Sequence, residues 1–381
     1  IFLSLVTIKI YYLFKFFDNS NLNNLFLFSL FSSLTCATRI VGIFLPLSFI
    51  IYIFVSKDQN SSWSNIFKKI ITFNLIFFTF LILFWPYLWA NPISNFFLSL
   101  KIFSSYPIEF KMLFNGHYIN SKFLPLNYVP IWISITTPLI TLFLFLFGYF
   151  ILLKRFFIRL VNIRALATSN DFWKSQTEKK DFFIFLNFSA IFFYIILSNT
   201  DLYNGWRHLY FLHIFLSYIA CIGVYKLFLN FRKIKYVLLI LTILPLANLY
   251  GIIKFHPFQS FYFNELLINS KKKDFEVDYW GLAGTKFLED LIINNKNLND
   301  VNLAVASFIP LERSLKMMKN INRSKINIVG QNYEIADYIF HNNISEVDKS
   351  KNKKYSIPEN FKLIDEFYIQ GFMIYQLFKK I

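Results

Sequence analysis

Charge is scarce in this chain. Only 16% of its 381 residues are Asp, Glu, Lys or Arg, against about a quarter in an ordinary soluble protein. That deficit excludes a conventional soluble domain of this length. Cysteine is rarer still, with Cys36 and Cys221 the only two. Both fall in apolar runs and read as small buried hydrophobes. They exclude a disulfide framework and a cysteine metal centre. The sequence has no Gly-rich phosphate loop, no His/Cys cluster at metal spacing and no nucleophile elbow, so no nucleotide site is legible. No cofactor is evident, and a divalent-metal requirement is left open.

What fills the space is apolar. The chain is 56% hydrophobic and 21% aromatic, with a mean hydropathy of +0.46. The apolar residues come in runs near the ~20 that cross a bilayer. Eight stand out: Ile1–Phe17, Leu25–Ala37, Ile40–Val55, Ile70–Trp89, Ile131–Leu153, Phe182–Ser198, Leu209–Leu229 and Tyr236–Ile253. The expected fold class is a polytopic α-helical membrane protein with a small C-terminal α/β domain outside the cytoplasm. Its helical domain would span 1–254, with an outer loop at 90–130, and its extracytoplasmic domain 255–381. The first run begins at full strength at Ile1, without Met or a signal-peptide pattern, which points to coding sequence upstream.

The net charge of +17 fits basic loops better than nucleic-acid binding, because the lysines are scattered among apolar runs. Lys154, Arg155, Arg159, Arg164, Lys174, Lys179 and Lys180 crowd one loop, Arg232, Lys233 and Lys235 a second, and Lys57, Lys68 and Lys69 flank a third. The positive-inside rule places all three in the cytoplasm. The Thr38-Arg39 turn, the loop 90–130, the loop 199–208 and the tail after Lys254 then share the outer face. The expected location is a multi-pass protein of a bacterial plasma membrane.

The tail changes character. Helices are expected at Lys286–Asn294 and Leu311–Met318, and strands at Asn302–Ala306, Ile326–Val329 and Ala336–Phe340. A closing hairpin around Gln370-Gly371 is expected within Phe361–Phe378.

Ionisable groups at a membrane edge are expensive and mark sites. Arg39 lies between two apolar runs. The loop from Asp201 to His208 holds an acid, an amide, an arginine and a histidine. Arg207 and His208 suit a phosphate, since a guanidinium offers forked donors and an imidazole donates or shuttles a proton. His117, Tyr128, Asn264, Glu265, Asp278, Tyr279 and Trp280 lie in outer segments and are candidates for a substrate-cavity wall. The block from His256 to Leu266, followed by Asp278-Tyr279-Trp280-Gly281, has the makeup of a lid or a wall of an interfacial site.

The residues that stand in order along the chain are Ala37-Thr38-Arg39-Ile40-Val41-Gly42, Trp85-Pro86-Tyr87-Leu88-Trp89, Ile135-Thr136-Thr137-Pro138-Leu139, Gly205-Trp206-Arg207-His208, Tyr262-Phe263-Asn264 and Asp278-Tyr279-Trp280-Gly281-Leu282. Together they resemble the multi-spanning GT-C glycosyltransferases, most closely the protein O-mannosyltransferase-like and dolichyl-phosphate-mannose-dependent branch. The resemblance implies a GT-C-like fold. It also implies inverting transfer of a sugar, mannose-like in that branch, from a polyprenyl-phosphate-linked donor to a hydroxyl of a lipid, glycan or protein acceptor. In that pattern Arg39, Arg207 and His208 bind the donor phosphate. The catalytic base would be an acid in a first outer loop, expected upstream of Ile1; within this chain Asp201 is the candidate. Membrane lipids are expected partners and nucleic acid is not. A lipid-linked sugar or polysaccharide flippase and a surface-polysaccharide ligase are the alternatives. The flippase predicts charges inside spans and two similar halves, whereas the spans are nearly charge-free and a folded tail follows only the last one.

Overall fold

The computed structural model describes the chain outside residues 56–61, 105–107, 162–172, 174, 199, 231–242, 244–245, 247–248, 268, 295–299, 320–322 and 350. It is mostly helical, with a small C-terminal sheet domain. Two compact units are present, and each is treated by itself. The first comprises Ile1–Pro107, Ile140–Thr200 and Arg207–Leu239; the second comprises Ile108–Leu139, Asp201–Trp206 and Ile240–Ile381.

The first unit is a bundle. Its helices are α1 (Phe2–Asp18), α2 (Leu22–Thr38), α3 (Phe44–Val55), α4 (Trp63–Phe84), α5 (Pro92–Ser104), α7 (Leu139–Val161), α8 (Gln176–Leu197) and α9 (Leu212–Asn230). Among the described residues, α4, α7, α8 and the stretch Leu212–Leu229 of α9 are long and apolar enough to cross a membrane. Polar starts and proline stops set their ends. Ser62 caps α4 by accepting from the Ser64 amide, and Ser175 caps α8 by accepting from the Glu178 amide. Helix α4 ends before Pro86, because proline disfavours a helical residue ahead of it.

Small residues let these helices approach closely. Ser29, Ser32, Ser33 and Thr35 of α2 are fully buried, and Ser33 Oγ donates to the Phe77 carbonyl of α4 at 2.9 Å. A Cβ added at Gly148 of α7 would run into the Ile219 carbonyl of α9, and one at Gly223 into the Leu144 carbonyl. The α7–α9 crossing therefore depends on paired glycines, as membrane helix interfaces commonly do. Cys36 is buried as expected, but Cys221 is on an exposed face of α9.

The second unit contains α6 (Tyr128–Thr136), the hairpin β1 (Lys111–Phe114) and β2 (His117–Asn120), and the C-terminal domain. The single apolar run expected at Ile131–Leu153 is broken between α6 and α7. Pro138 explains the break, since it lacks an N–H and drives Thr137 out of the helical region; Thr137 is extended, at φ −95 and ψ 133. The liberated carbonyls are recaptured by Asn264. Its Nδ2 donates to the Ser134 and Thr137 oxygens, both at 2.6 Å, and its amide donates to the Ile135 oxygen at 2.8 Å.

The C-terminal domain has the strand order β4-β3-β5-β7-β6. Strands β3 (Val301–Ala306), β4 (Ile326–Ile328) and β5 (Tyr338–His341) are parallel. Strand β7 (Phe372–Lys380) runs antiparallel to β5 and pairs with β6 (Phe361–Ile369). The two-residue β6–β7 turn has positive φ at both Gln370 and Gly371, the geometry that matches strand twist in hairpins. One face buries Ala304, Ala306, Ala336, Ile339, Tyr355 and Phe361. Phe287 of the helix Ala283–Asn294 packs on Phe340 and Tyr375. These elements fall where the tail pattern places them. Most of the last expected span, Tyr236–Ile253, and much of the basic loops lie outside the described residues.

Gly148→Val should lower the unfolding temperature of the detergent-solubilised chain clearly, since overpacking costs about 1–3 kcal/mol. Gly251→Ala, at a position with nothing within 4 Å, is the neutral control. Equal unfolding temperatures for Gly148→Val and the parent would mean that α7 and α9 do not meet through this contact.

Candidate anion-binding site

Charges in the helical unit are sorted to two ends. At one end, Arg155 of α7 pairs with Asp181 of α8 at 3.0 Å, Arg159 with Glu178 at 3.0 Å, and Lys180 with Asp18 of α1 at 2.6 Å. Tyr218 of α9 donates its hydroxyl to the same Asp181 at 3.0 Å. Lys179 lies over the rings of Phe17, Tyr52 and Trp173 at 5.5, 5.2 and 5.8 Å. Every described acid of this unit, Asp18, Glu178 and Asp181, is at that end.

The other end carries Arg39, Arg207 and His208. Arg39 follows the last residue of α2, and its guanidinium lies over the Phe2 ring at the start of α1, 5.6 Å from the centroid. Arg39 is exposed and forms no ion pair among the described residues. Arg207 and His208 sit on a 3-10 turn, Arg207–Leu209, just ahead of α9. Phe211, beyond that turn, meets Phe2 edge-on at 5.9 Å. One ring of α1 thus supports both basic turns.

His208 is half-buried, and its pKa is pushed down to about 4 by desolvation, then by Arg207 and by Arg39. At neutral pH it is a neutral imidazole. Its Nε2 accepts from Arg207 Nε at 3.3 Å, which leaves the proton on Nδ1. The structure thus has two guanidiniums and a polar ring that can gain a proton when an anion arrives.

The residues proposed for a cavity wall divide by environment. Tyr128 is 1% exposed, and its hydroxyl donates to the Gly205 carbonyl at 3.2 Å. Asn264 is 2% exposed and fully engaged at the Pro138 break. Asp278 is buried, at φ +61, and its carboxylate accepts from the Leu282 amide at 2.6 Å and the Ala283 amide at 3.1 Å. It caps the helix Ala283–Asn294. Desolvation raises its pKa to about 7, against the pull of those amides. These three hold the second unit together. His117 and Glu265 are exposed, Tyr279 is half-buried and Trp280 is exposed. Asp201 is half-buried at the head of a loop whose Tyr203 packs on Phe110, ring centroids 4.7 Å apart, and whose Trp206 donates to Thr136 Oγ1 at 2.9 Å.

Sequence reading missed three features. Lys9 of α1 is 1% exposed, with Nζ donating to the Gly42 carbonyl at 2.9 Å; its run reads as apolar because one lysine barely moves a hydropathy average. Glu276 is buried at 4% exposure within the second unit. A cavity of about 410 Å³ there is lined by Lys272, Lys273, Asn343, Tyr368 and Phe372 among others, none of them singled out from the sequence. Among the described residues, no group of three or more His, Cys, Asp or Glu side chains could hold a metal ion. Comparison with protein-family models, curated proteins and solved structures finds no match to this chain.

The depressed His208 pKa has a stability consequence. Between an unfolded value near 6.5 and a folded value of about 4, the unfolded chain binds more protons. The contribution is therefore complete above pH 6.5 and is lost as pH falls toward 4. Unfolding temperatures taken from pH 7.5 to 4.5 should fall, and His208→Asn should flatten the slope between 6.5 and 4.5. An identical slope in both proteins would place the titration elsewhere.

Proposed function

We propose that this chain is a multi-pass membrane glycosyltransferase that takes its sugar from a polyprenyl-phosphate-linked donor at the outer membrane face. The observation that carries the reading is the sorting of charge. Arg39 and Arg207 stand at one end of an apolar bundle whose described acids all lie at the other. A phosphate attached to a long hydrocarbon matches that arrangement. The tail partitions beside apolar helices, and the head meets guanidiniums that offer charge-assisted hydrogen bonds.

In the proposed reaction the acceptor hydroxyl attacks the anomeric carbon from the side opposite the phosphate. The new carbon–oxygen bond forms as the bond to phosphate breaks, and configuration inverts. The hydroxyl proton goes to a carboxylate acting as general base. Negative charge builds on the departing phosphate, and stabilising it there lowers the barrier. Arg39 and Arg207 take that role, with His208 supplying its Nδ1–H or a proton. The acceptor is a lipid, glycan or protein hydroxyl. Placing the arginine end outside follows from the basic loops near Lys154–Lys180 under the positive-inside rule.

Arg207→Ala should cut sugar transfer from a polyprenyl-phosphate sugar about 10²–10³-fold, as loss of one donor to developing charge does, while leaving the amount of folded protein in membranes unchanged. Arg207→Lys should restore only part, because lysine lacks the fork. Transfer by the alanine variant at the parent rate would reduce Arg207 to a headgroup anchor.

A further inference from the structure

Lys9 is an anomaly of position. It sits in the middle of α1 among Val6, Ile10 and Leu13, all buried, and is itself 1% exposed. Burying an ammonium in an apolar bundle is costly, and a residue such as methionine fills the same space without that cost. What lysine adds is a directed donor. Its target is the Gly42 carbonyl, at 2.9 Å.

That carbonyl belongs to the 3-10 turn Ile40–Ile43, which carries the chain out of Arg39 into α3. The Gly42 amide donates to the Arg39 carbonyl at 2.8 Å, and the Arg39 amide donates to the Thr35 carbonyl at 3.1 Å. The turn is pressed against α2, since a Cβ at Gly42 would lie 2.8 Å from the Thr35 carbonyl carbon. Arg39 then lays its guanidinium over Phe2, on the same helix as Lys9. Helix α1 therefore grips the turn twice, by Lys9 from inside and by Phe2 at its end.

We propose that Lys9 is a positioning residue for the anion site: by holding the Gly42 carbonyl it fixes the turn that presents Arg39 to a phosphate group. This rests on the reading of Arg39, Arg207 and His208 as a phosphate site and adds the element that orders one half of it. Lys9 acts through Arg39 and does not touch the phosphate. The same chemistry accommodates a lipid phosphate or free phosphate, so both are needed as probes.

The full chain in nanodiscs, with Lys9→Met, Lys9→Gln and Arg207→Ala, tests this. The readouts are amide hydrogen exchange at residues 40–43 and binding to phosphatidylcholine vesicles carrying a polyprenyl monophosphate, with inorganic phosphate as competitor. Lys9→Met should keep its unfolding temperature, exchange faster at 40–43 and bind the lipid about tenfold more weakly, the scale of one lost hydrogen bond to a charged group. Lys9→Gln retains a donor and should recover part of both; it also carries the test if the methionine variant fails to fold. Displacement by inorganic phosphate would assign the affinity to the phosphate group, and its absence to the lipid-borne form. Unchanged exchange at 40–43 overturns the proposal. So does unchanged lipid binding by Lys9→Met when Arg207→Ala binds more weakly. Unchanged binding by Arg207→Ala instead overturns the phosphate-site reading, and with it the site role of Lys9.

Discussion

An apolar helix bundle has few places to keep an ion, and that constraint orders the first unit. A charge inside it must be paired, solvated at an end or held by a backbone carbonyl. Arg155–Asp181, Arg159–Glu178 and Lys180–Asp18 take the first course, and Lys9 the third. Arg39, exposed against the Phe2 ring, takes the second. The described acids of this unit are paired with bases at one end, and Arg39, Arg207 and His208 stand at the other. A surface of that kind does little for folding. It is suited to an anion.

The same economy explains why the site is built on turns. Both basic turns begin where an apolar helix stops or starts, so their backbones are anchored by the helices they adjoin. Aromatic contacts supply the anchoring: Phe2 meets Arg39 on one side and Phe211 on the other. The imidazole beside Arg207 is neutral because desolvation and neighbouring positive charge both disfavour its proton. An arriving phosphate would reverse the second of these effects, which gives His208 a reason to be a histidine rather than a third permanent cation.

The apolar helices are legible without coordinates, because apolar runs are a strong signal. The strands and helices of the C-terminal domain follow from alternation and from turn residues such as Gln370-Gly371. Legibility fails where one residue decides against its neighbours. Pro138 splits a run that hydropathy reads as continuous, and Asn264, far along the chain, repairs the break. Lys9 is averaged away. The hairpin Lys111–Asn120 and the helix Pro92–Ser104 are short elements inside a segment read as loop. Among candidate site residues, composition alone cannot separate a polar group facing a substrate from one satisfying a backbone. Tyr128, Asn264 and Asp278 have the makeup of wall residues and spend their polar atoms on Gly205, the Pro138 break and a helix cap.

The central claim is that a lipid-borne phosphate docks at the Arg39–Arg207 end of the bundle. Photo-crosslinking with a polyprenyl phosphate analogue bearing a diazirine near its head group, followed by peptide mapping of the full chain, tests it most directly. The account predicts adducts in the segments around residues 37–43 and 205–212, suppressed by unlabelled polyprenyl phosphate. Adducts confined to the paired end, around Arg155 to Arg159 and Glu178 to Asp181, would contradict it.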